Sequence, residues 1–171
     1  GRIVELGRDR EIIRINYDLE KSSTTIDLNT FSGDIKSNLL SRDLTINSLA
    51  VKIPSSSPDD YSRTEVIDVC GGVKDLQYSV VRMISERNII DDPVRILRAL
   101  RISRELGFSI ENDTRKFLRK KSALIFSVAP ERIRDEFLRI LDCDQVTGSL
   151  LALDRIGILT KIIPELDLTK N

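Results

Sequence analysis

Histidine is absent from the 171 residues. That removes the Ser-His-Asp triad, the Cys-His dyad and any imidazole metal site from consideration. Cysteine is scarce: Cys70 and Cys143 are the two present, and without histidine they cannot form the usual structural zinc site within one chain. They read as reduced thiols of a cytoplasmic protein. No apolar run approaches the ~18 residues that span a bilayer, so no membrane partner is expected. The opening Gly1-Arg2-Ile3-Val4-Glu5-Leu6 alternates and carries charge, unlike a secretory signal. Neither charge is in surplus, since 27 Lys+Arg balance 27 Asp+Glu. This excludes a uniformly basic nucleic-acid binder but leaves room for a basic face. Met83 is the only methionine, and its isolation sets up the expectation of a fragment or processed product.

What is present is a globular composition, 32% charged and 40% hydrophobic, which argues against disorder. The first third reads as strands: 2–6, 11–17 and 24–31 are short and rich in Ile, Val and Thr. Residues 7–10 suit a hairpin turn, and 18–23 a polar link. Residues 33–42 read as a loop, followed by a helix over 43–51. The Pro/Ser/Asp-rich stretch 52–64 reads as a mobile loop, 65–69 as a strand, and 73–77 as one helical turn. From Asp91 the pattern is helical. Asp92 suits the N-cap of a helix whose first position is Pro93, because proline lacks the N–H that would be unpaired there. Gly107 suits its C-terminal stop, and further helices are expected near 113, at Pro130 and over 145–156. Ile133, Leu138 and Leu141 keep helical spacing and are expected in the core. The expected architecture is α+β: a β-rich unit over 1–85 and a helical unit over 86–171.

Several groupings have chemical potential. Asp92 and Arg95 lie three apart at a helix start and point the same way. A carboxylate that accepts beside a guanidinium that donates suits the Watson–Crick edge of a base. An N-cap with its ion-pair partner accounts for the same spacing. Arg98 and Arg101 continue at three-residue steps. Arg42 and Asp43 sit where a loop meets the expected helix, a place that favours anions. Asp27 lies in an apolar strand, as a metal-ligating carboxylate does, and equally as an edge residue facing water. From Arg95 to Lys121 there are nine basic and three acidic residues. Arg115, Lys116, Arg119, Lys120 and Lys121 in this window are candidate RNA contacts, or a solvated face with its stems folded along the surface. Gly71-Gly72 suits a turn better than a phosphate cradle.

The order of these runs is more telling than any one of them. Asp27-Leu28-Asn29-Thr30-Phe31 precedes Ser41-Arg42-Asp43-Leu44-Thr45-Ile46-Asn47. Then come Asp68-Val69-Cys70-Gly71-Gly72-Val73-Lys74-Asp75-Leu76, Asp91-Asp92-Pro93-Val94-Arg95-Ile96-Leu97-Arg98 and Glu131-Arg132-Ile133-Arg134-Asp135-Glu136. The series resembles the class II tRNA nucleotidyltransferases, or CCA-adding enzymes, and bacterial poly(A) polymerases, over about residues 24–165. The resemblance implies a partial nucleotidyltransferase β-sheet head followed by an all-helical neck and the start of a body. It implies CTP and ATP as substrates, Mg²⁺ in the complete enzyme, and a tRNA or other RNA 3′ end as partner. Asp92 and Arg95 would read the incoming base, with Arg98 and Arg101 supporting the nucleotide. Arg42 would bind it from the head side and Asp43 would lie near the sugar. Asp27 would be a catalytic, metal-binding carboxylate, and Glu131, Arg132 and Glu136 would brace the neck.

Two departures matter. The family's glycine-rich phosphate loop and the strand bearing D-x-D do not occur upstream of Asp27, and Ser41 stands where the family usually has a first arginine. The expectation is that the chain alone is inactive, with the remaining carboxylates in a missing head segment or another chain. A non-catalytic nucleotide- or RNA-binding module and a helical interaction domain are the competing readings.

Overall fold

The computed structural model describes residues 2–6, 12–19, 22–31, 33–53, 65–144 and 146–169. The expected turn at 7–10 and most of the expected loop at 52–64 lie outside them. Contacts divide the chain into two units, 1–38 and 39–171.

The first unit contains β1 (Arg2–Leu6), β2 (Ile12–Leu19) and β3 (Ser22–Asn29), paired antiparallel in that order. The link expected over 18–23 is mostly strand. Asp18 pairs with Ser23 and Leu19 with Ser22, so polar residues continue the ladder. Polar cross-strand partners support such an extension, as where Thr25 Oγ1 donates to Asn16 Oδ1 at 3.0 Å.

Helix α1 (Ile35–Leu40) replaces part of the loop expected over 33–42. Asp34 starts it by accepting from the Ser37 N–H at 2.8 Å and the Ser37 hydroxyl at 3.1 Å.

In the second unit the helix expected over 43–51 does not form. A bridge pairs Leu44 with Met83, a 3-10 turn covers Thr45–Asn47, and β4 (Leu49–Val51) pairs antiparallel with β5 (Val66–Asp68). The cause is competition for backbone groups. The Thr45 N–H donates to Arg82 O at 3.0 Å and the Ile84 N–H to Asp43 O at 3.1 Å, so these groups are unavailable to a helix. Helix α2 (Gly72–Gln77) follows. Its entry is held by Asp68, whose carboxylate accepts from the N–H groups of Cys70, Gly71, Gly72 and Val73 at 2.8–3.2 Å.

The remaining elements are β6 (Val80–Val81), α3 (Glu86–Asp91), α4 (Arg95–Glu105), β7 (Ser109–Ile110), α5 (Asn112–Lys120), α6 (Pro130–Leu141), α7 (Val146–Arg155) and α8 (Leu159–Ile162). Two corrections concern this half. Helix begins at Glu86 rather than at Asp91, because Ser85 caps α3 by accepting from the Asn88 N–H. Residues 86–171 are not all helical either. Strand β7 pairs in parallel with β6, tying residues 109–110 to 80–81 across the expected division at 85/86.

Helix α4 runs through the core and buries Ile96, Leu97, Ala99, Leu100, Ile102 and Ser103. They pack in one core with Leu44, Val81, Ile89, Phe117, Leu118, Ile140 and Leu153. In α6 the buried residues are Glu136 and Ile140. Leu138 and Leu141, expected in the core, are 55% and 38% exposed. Ile133, also expected there, is partly buried and packs against the core, so α6 turns the face of Ile133, Glu136, Phe137 and Ile140 inward.

Candidate nucleotide site on helix α4

Arginine recurs every third residue of α4, and each three-residue step rotates a side chain by about 60° around a helix. The guanidiniums therefore fan around the axis and meet different partners. Arg95 Nη1 donates to Ser41 O at 2.9 Å and to Asn88 O at 3.3 Å. Arg98 Nε donates to Asp43 Oδ2 at 2.7 Å. Arg101 Nε donates to Glu136 Oε2 at 2.8 Å, and its Nη1 holds Glu105 at 2.7 Å.

Asp92 lies beside Arg95, with Oδ2 3.6 Å from the Arg95 Nε. Its side chain does not cap α4, which begins at Arg95; its backbone carbonyl accepts from the Arg95 N–H at 3.1 Å instead. The carboxylate turns to α6. Arg132 Nη2 donates to Oδ2 at 2.9 Å. Arg132 Nη1 is also 2.9 Å from Oδ1, but the angle makes no hydrogen bond, and Oδ1 is buried without a hydrogen-bond partner. Asp92 thus retains unused acceptor capacity next to a guanidinium.

Asp43 is 5% exposed. Burial raises its pKa, but the charge and hydrogen bond of Arg98, with Asn47 and the Leu44 N–H, outweigh that and hold it below the usual carboxylate range. A depressed native pKa contributes stability that is present above the unfolded-state value, about 3.9, and lost as pH falls through the native value. Urea unfolding from pH 7 to pH 3 should therefore show the wild type losing its advantage over Asp43→Asn below about pH 4. Parallel profiles for the two proteins would remove Asp43 from the acid response. Arg42 is exposed, and its Nη1 donates to Asn47 O at 3.2 Å. A 3-10 turn over Thr45–Asn47 follows it in place of the α-helix expected from residue 43.

One residue that the sequence did not single out organises this place. The Asn88 side-chain amide donates to Leu40 O at 2.7 Å and to Arg42 O at 2.6 Å. With Arg95 on Ser41, the carbonyls of 40, 41 and 42 are all gripped by α3 and α4. A solitary asparagine in a helix gives no sign of this in sequence.

The bracing residues divide. Glu136 is buried among Arg101, Arg98 at 3.7 Å and Arg139 at 3.6 Å. Arg132 holds Asp92, and Glu131 is exposed. The resemblance implies that Arg101 supports the nucleotide; in the structure its side chain is 11% exposed and pairs with Glu105 and Glu136.

In the first unit, Arg14 Nε and Nη2 each donate to Asp27 at 2.7 Å, filling both carboxylate oxygens. The arginine lowers the carboxyl pKa. Among the described residues no group of three acidic or sulfur ligands is assembled for a metal. Asp27 is the metal-binding carboxylate the resemblance implies; no step is assigned to a metal on these residues.

On α5, Arg115, Lys116, Arg119 and Lys120 are exposed, and Lys121 follows half-buried. Arg115 Nη2 donates to Ile110 O at 2.8 Å, and Lys116 pairs with Asp113 at 3.0 Å. Both cysteines are free thiols. Among the described residues no helix is long and apolar enough to cross a membrane.

Comparison with known proteins places the chain in a family. A family model described as "Poly A polymerase head domain" matches residues 8–82. A second, described as "Probable RNA and SrmB- binding site of polymerase A", matches residues 107–169. The CC-adding tRNA nucleotidyltransferase of Synechocystis sp. is 33% identical over 91% of this chain and 35% of its own length. The Multifunctional CCA protein of Xanthomonas campestris pv. campestris is 38% identical over 78% of this chain and 32% of its own length. The chain thus spans about a third of the curated relatives it matches. Among solved structures, a CCA-adding enzyme with ATP superimposes with a TM-score of 0.79 at 27% identity, over 96% of this chain and 38% of that one. The Thermotoga maritima CCA-adding enzyme complexed with tRNA gives 0.78 at 28% identity, over the same shares. Motif order, the α+β fold and both family matches lead to one conclusion: the chain belongs to the class II CCA-adding enzyme and bacterial poly(A) polymerase family.

Proposed function

We propose that the chain is part of a template-independent RNA nucleotidyltransferase that adds C, A or both to tRNA 3′ ends, inactive by itself, and that Asp92 and Arg95 read the incoming base. The observation that supports this is the Asp92 carboxylate, whose Oδ2 lies 3.6 Å from Arg95 Nε and whose buried Oδ1, 2.9 Å from Arg132 Nη1, makes no hydrogen bond. Cytosine and adenine both present an amino donor next to a ring-nitrogen acceptor. An aspartate that accepts from the amino group and an arginine that donates to the ring nitrogen match both bases. Uracil and guanine present the reverse order at the same edge and leave both protein groups opposed. Arg132, whose side chain is 54% exposed, is the group that swings aside to admit the base.

Ser41 O and Asn88 O hold Arg95 in place before a nucleotide arrives, so little ordering remains to be done on binding. In the reaction, the RNA 3′ hydroxyl attacks the α-phosphorus, an O–P bond forms, and the bond to pyrophosphate breaks. Mg²⁺ in this chemistry would stabilise charge on the leaving group; its ligands are not assembled among the described residues. The setting is cytoplasmic, where tRNA and both nucleotides are available.

Equilibrium titration with the four nucleoside triphosphates tests the base-reading role. The wild type should prefer CTP or ATP, and Arg95→Ala should lose about tenfold of that preference over UTP and GTP. Equal discrimination by the variant and the wild type would refute it. A 3′-extension assay of the complete enzyme names the activity. With tRNAs ending before, within and after CCA, and CTP and ATP supplied separately, the products separate CC, A and CCA addition from a poly(A) tail. Equal incorporation of U or G overturns the function.

A further inference from the structure

The arginine fan of α4 ends at Arg104, which contacts none of the groups that hold Asp92. It lines a cavity of about 280 Å³ in the second unit, formed where the ends of α4 and α7 meet β7 and the start of α5. Arg115 and Arg155 line the same cavity, with Leu100, Phe108 and Ile156 as apolar walls. No carboxylate lines it. Arg104 and Arg155 are basic residues in the last turns of their helices, where a cation is favoured by the helix dipole. That accounts for each arginine singly, but not for three converging on a cavity with apolar walls.

We propose that this cavity binds one nucleotide of an RNA strand, with its phosphate on Arg104 and Arg155 and its base against Phe108 and Ile156. A guanidinium fork matches phosphate oxygens, and an aromatic ring beside it offers a stacking face without sequence preference. The exposed basic residues of α5 continue the positive surface from Arg115 outward, as a strand leading into the cavity requires. The proposal rests on the reading that the protein handles RNA 3′ ends. It adds a contact point away from the base-reading pair, of use for holding the strand while its end is extended.

The test measures the affinity of the protein for a fluorescein-labelled tRNA lacking CCA, as a function of salt. Arg104→Gln with Arg155→Gln should weaken binding about tenfold and flatten the log–log salt slope by roughly one. Phe108→Leu should weaken it about fivefold and leave the slope unchanged, because a stacking contact releases no counterions. CTP and ATP discrimination should stay at the wild-type level in both variants. Wild-type RNA affinity and slope in the double arginine variant would overturn the cavity while leaving the tRNA reading intact. A wild-type protein that does not bind the tRNA would overturn both. Saturation of the cavity by AMP alone, with RNA affinity unaffected, would reassign it to a free nucleotide.

Discussion

Glu136→Ala should lower stability by about 3 kcal/mol, read as a fall in melting temperature of roughly 6–12 °C. The side chain is 10% exposed and receives Arg101, itself 11% exposed, at 2.8 Å, with Arg98 and Arg139 within 3.7 Å. Removing the one carboxylate leaves three guanidiniums converging on a void. Glu105 and Asp43 still neutralise part of that charge, which keeps the loss at the lower end for a broken buried pair. Replacing both partners, Arg101→Leu with Glu136→Leu, should recover most of the loss, since apolar groups of similar volume need no counter-charge. A double-mutant cycle by urea unfolding measures the coupling. Single variants within about 0.5 kcal/mol of wild type would show that the cluster contributes nothing to holding α6 on α4.

Gly72→Ala should cost about 3 kcal/mol, and more than Gly71→Ala next to it. A Cβ at Gly72 would run into the Thr45 carbonyl oxygen and lie 2.9 Å from its carbon, with Leu49 Cδ2 at 3.0 Å. Both the oxygen and carbon belong to backbone, so neither can rotate away. Thr45 is also pinned by its hydroxyl, which donates to Asp75 at 2.7 Å, and Asp75 is held by Arg82 at 3.0 Å. Gly71 has open space where a Cβ would stand but a φ of +80°, so alanine there costs only the left-handed penalty, about 1–2 kcal/mol. Thermal unfolding of the two variants compares them directly; a Gly72→Ala protein as stable as Gly71→Ala would disprove the close approach.

These residues also explain how far the sequence could be read. The run Asp68-x-x-Gly71-Gly72-x-x-Asp75 signals a family by pattern, and each position has a separate physical reason: a carboxylate for four amides, a left-handed turn, a backbone crossing and a buried acceptor for Thr45. Spacing displays the pattern but not the reasons, because Thr45 and Arg82 come from elsewhere in the chain. Helices with their own punctuation were legible, as at Pro130 and Gly107. The span 43–51 reads as helix locally, but distant pairing decides it: 43–45 with 82–84 and 49–51 with 66–68. Strands β6 and β7 have two residues each and leave no period to detect. Hydrophobic spacing points Leu138 inward and is silent on Glu136, because it cannot see that arginines from another helix make the glutamate a core residue. The Asp92–Arg95 juxtaposition was visible, whereas the turn of Asp92 toward Arg132 needed the packing of α6 on α4.

The grip of Asn88 and Arg95 on the carbonyls of residues 40–42 spans 46–54 positions of chain. At a ribosome adding 5–20 residues per second, the early partners emerge roughly 2–10 s before the late ones. During that interval the segment around Arg42 has none of the groups that later fix its carbonyls, and chain release or a pause between positions 42 and 95 would leave it without a destination. Codon usage and chaperone access over this stretch therefore bear on whether Arg95 and Asn88 ever meet the carbonyls of residues 40–42.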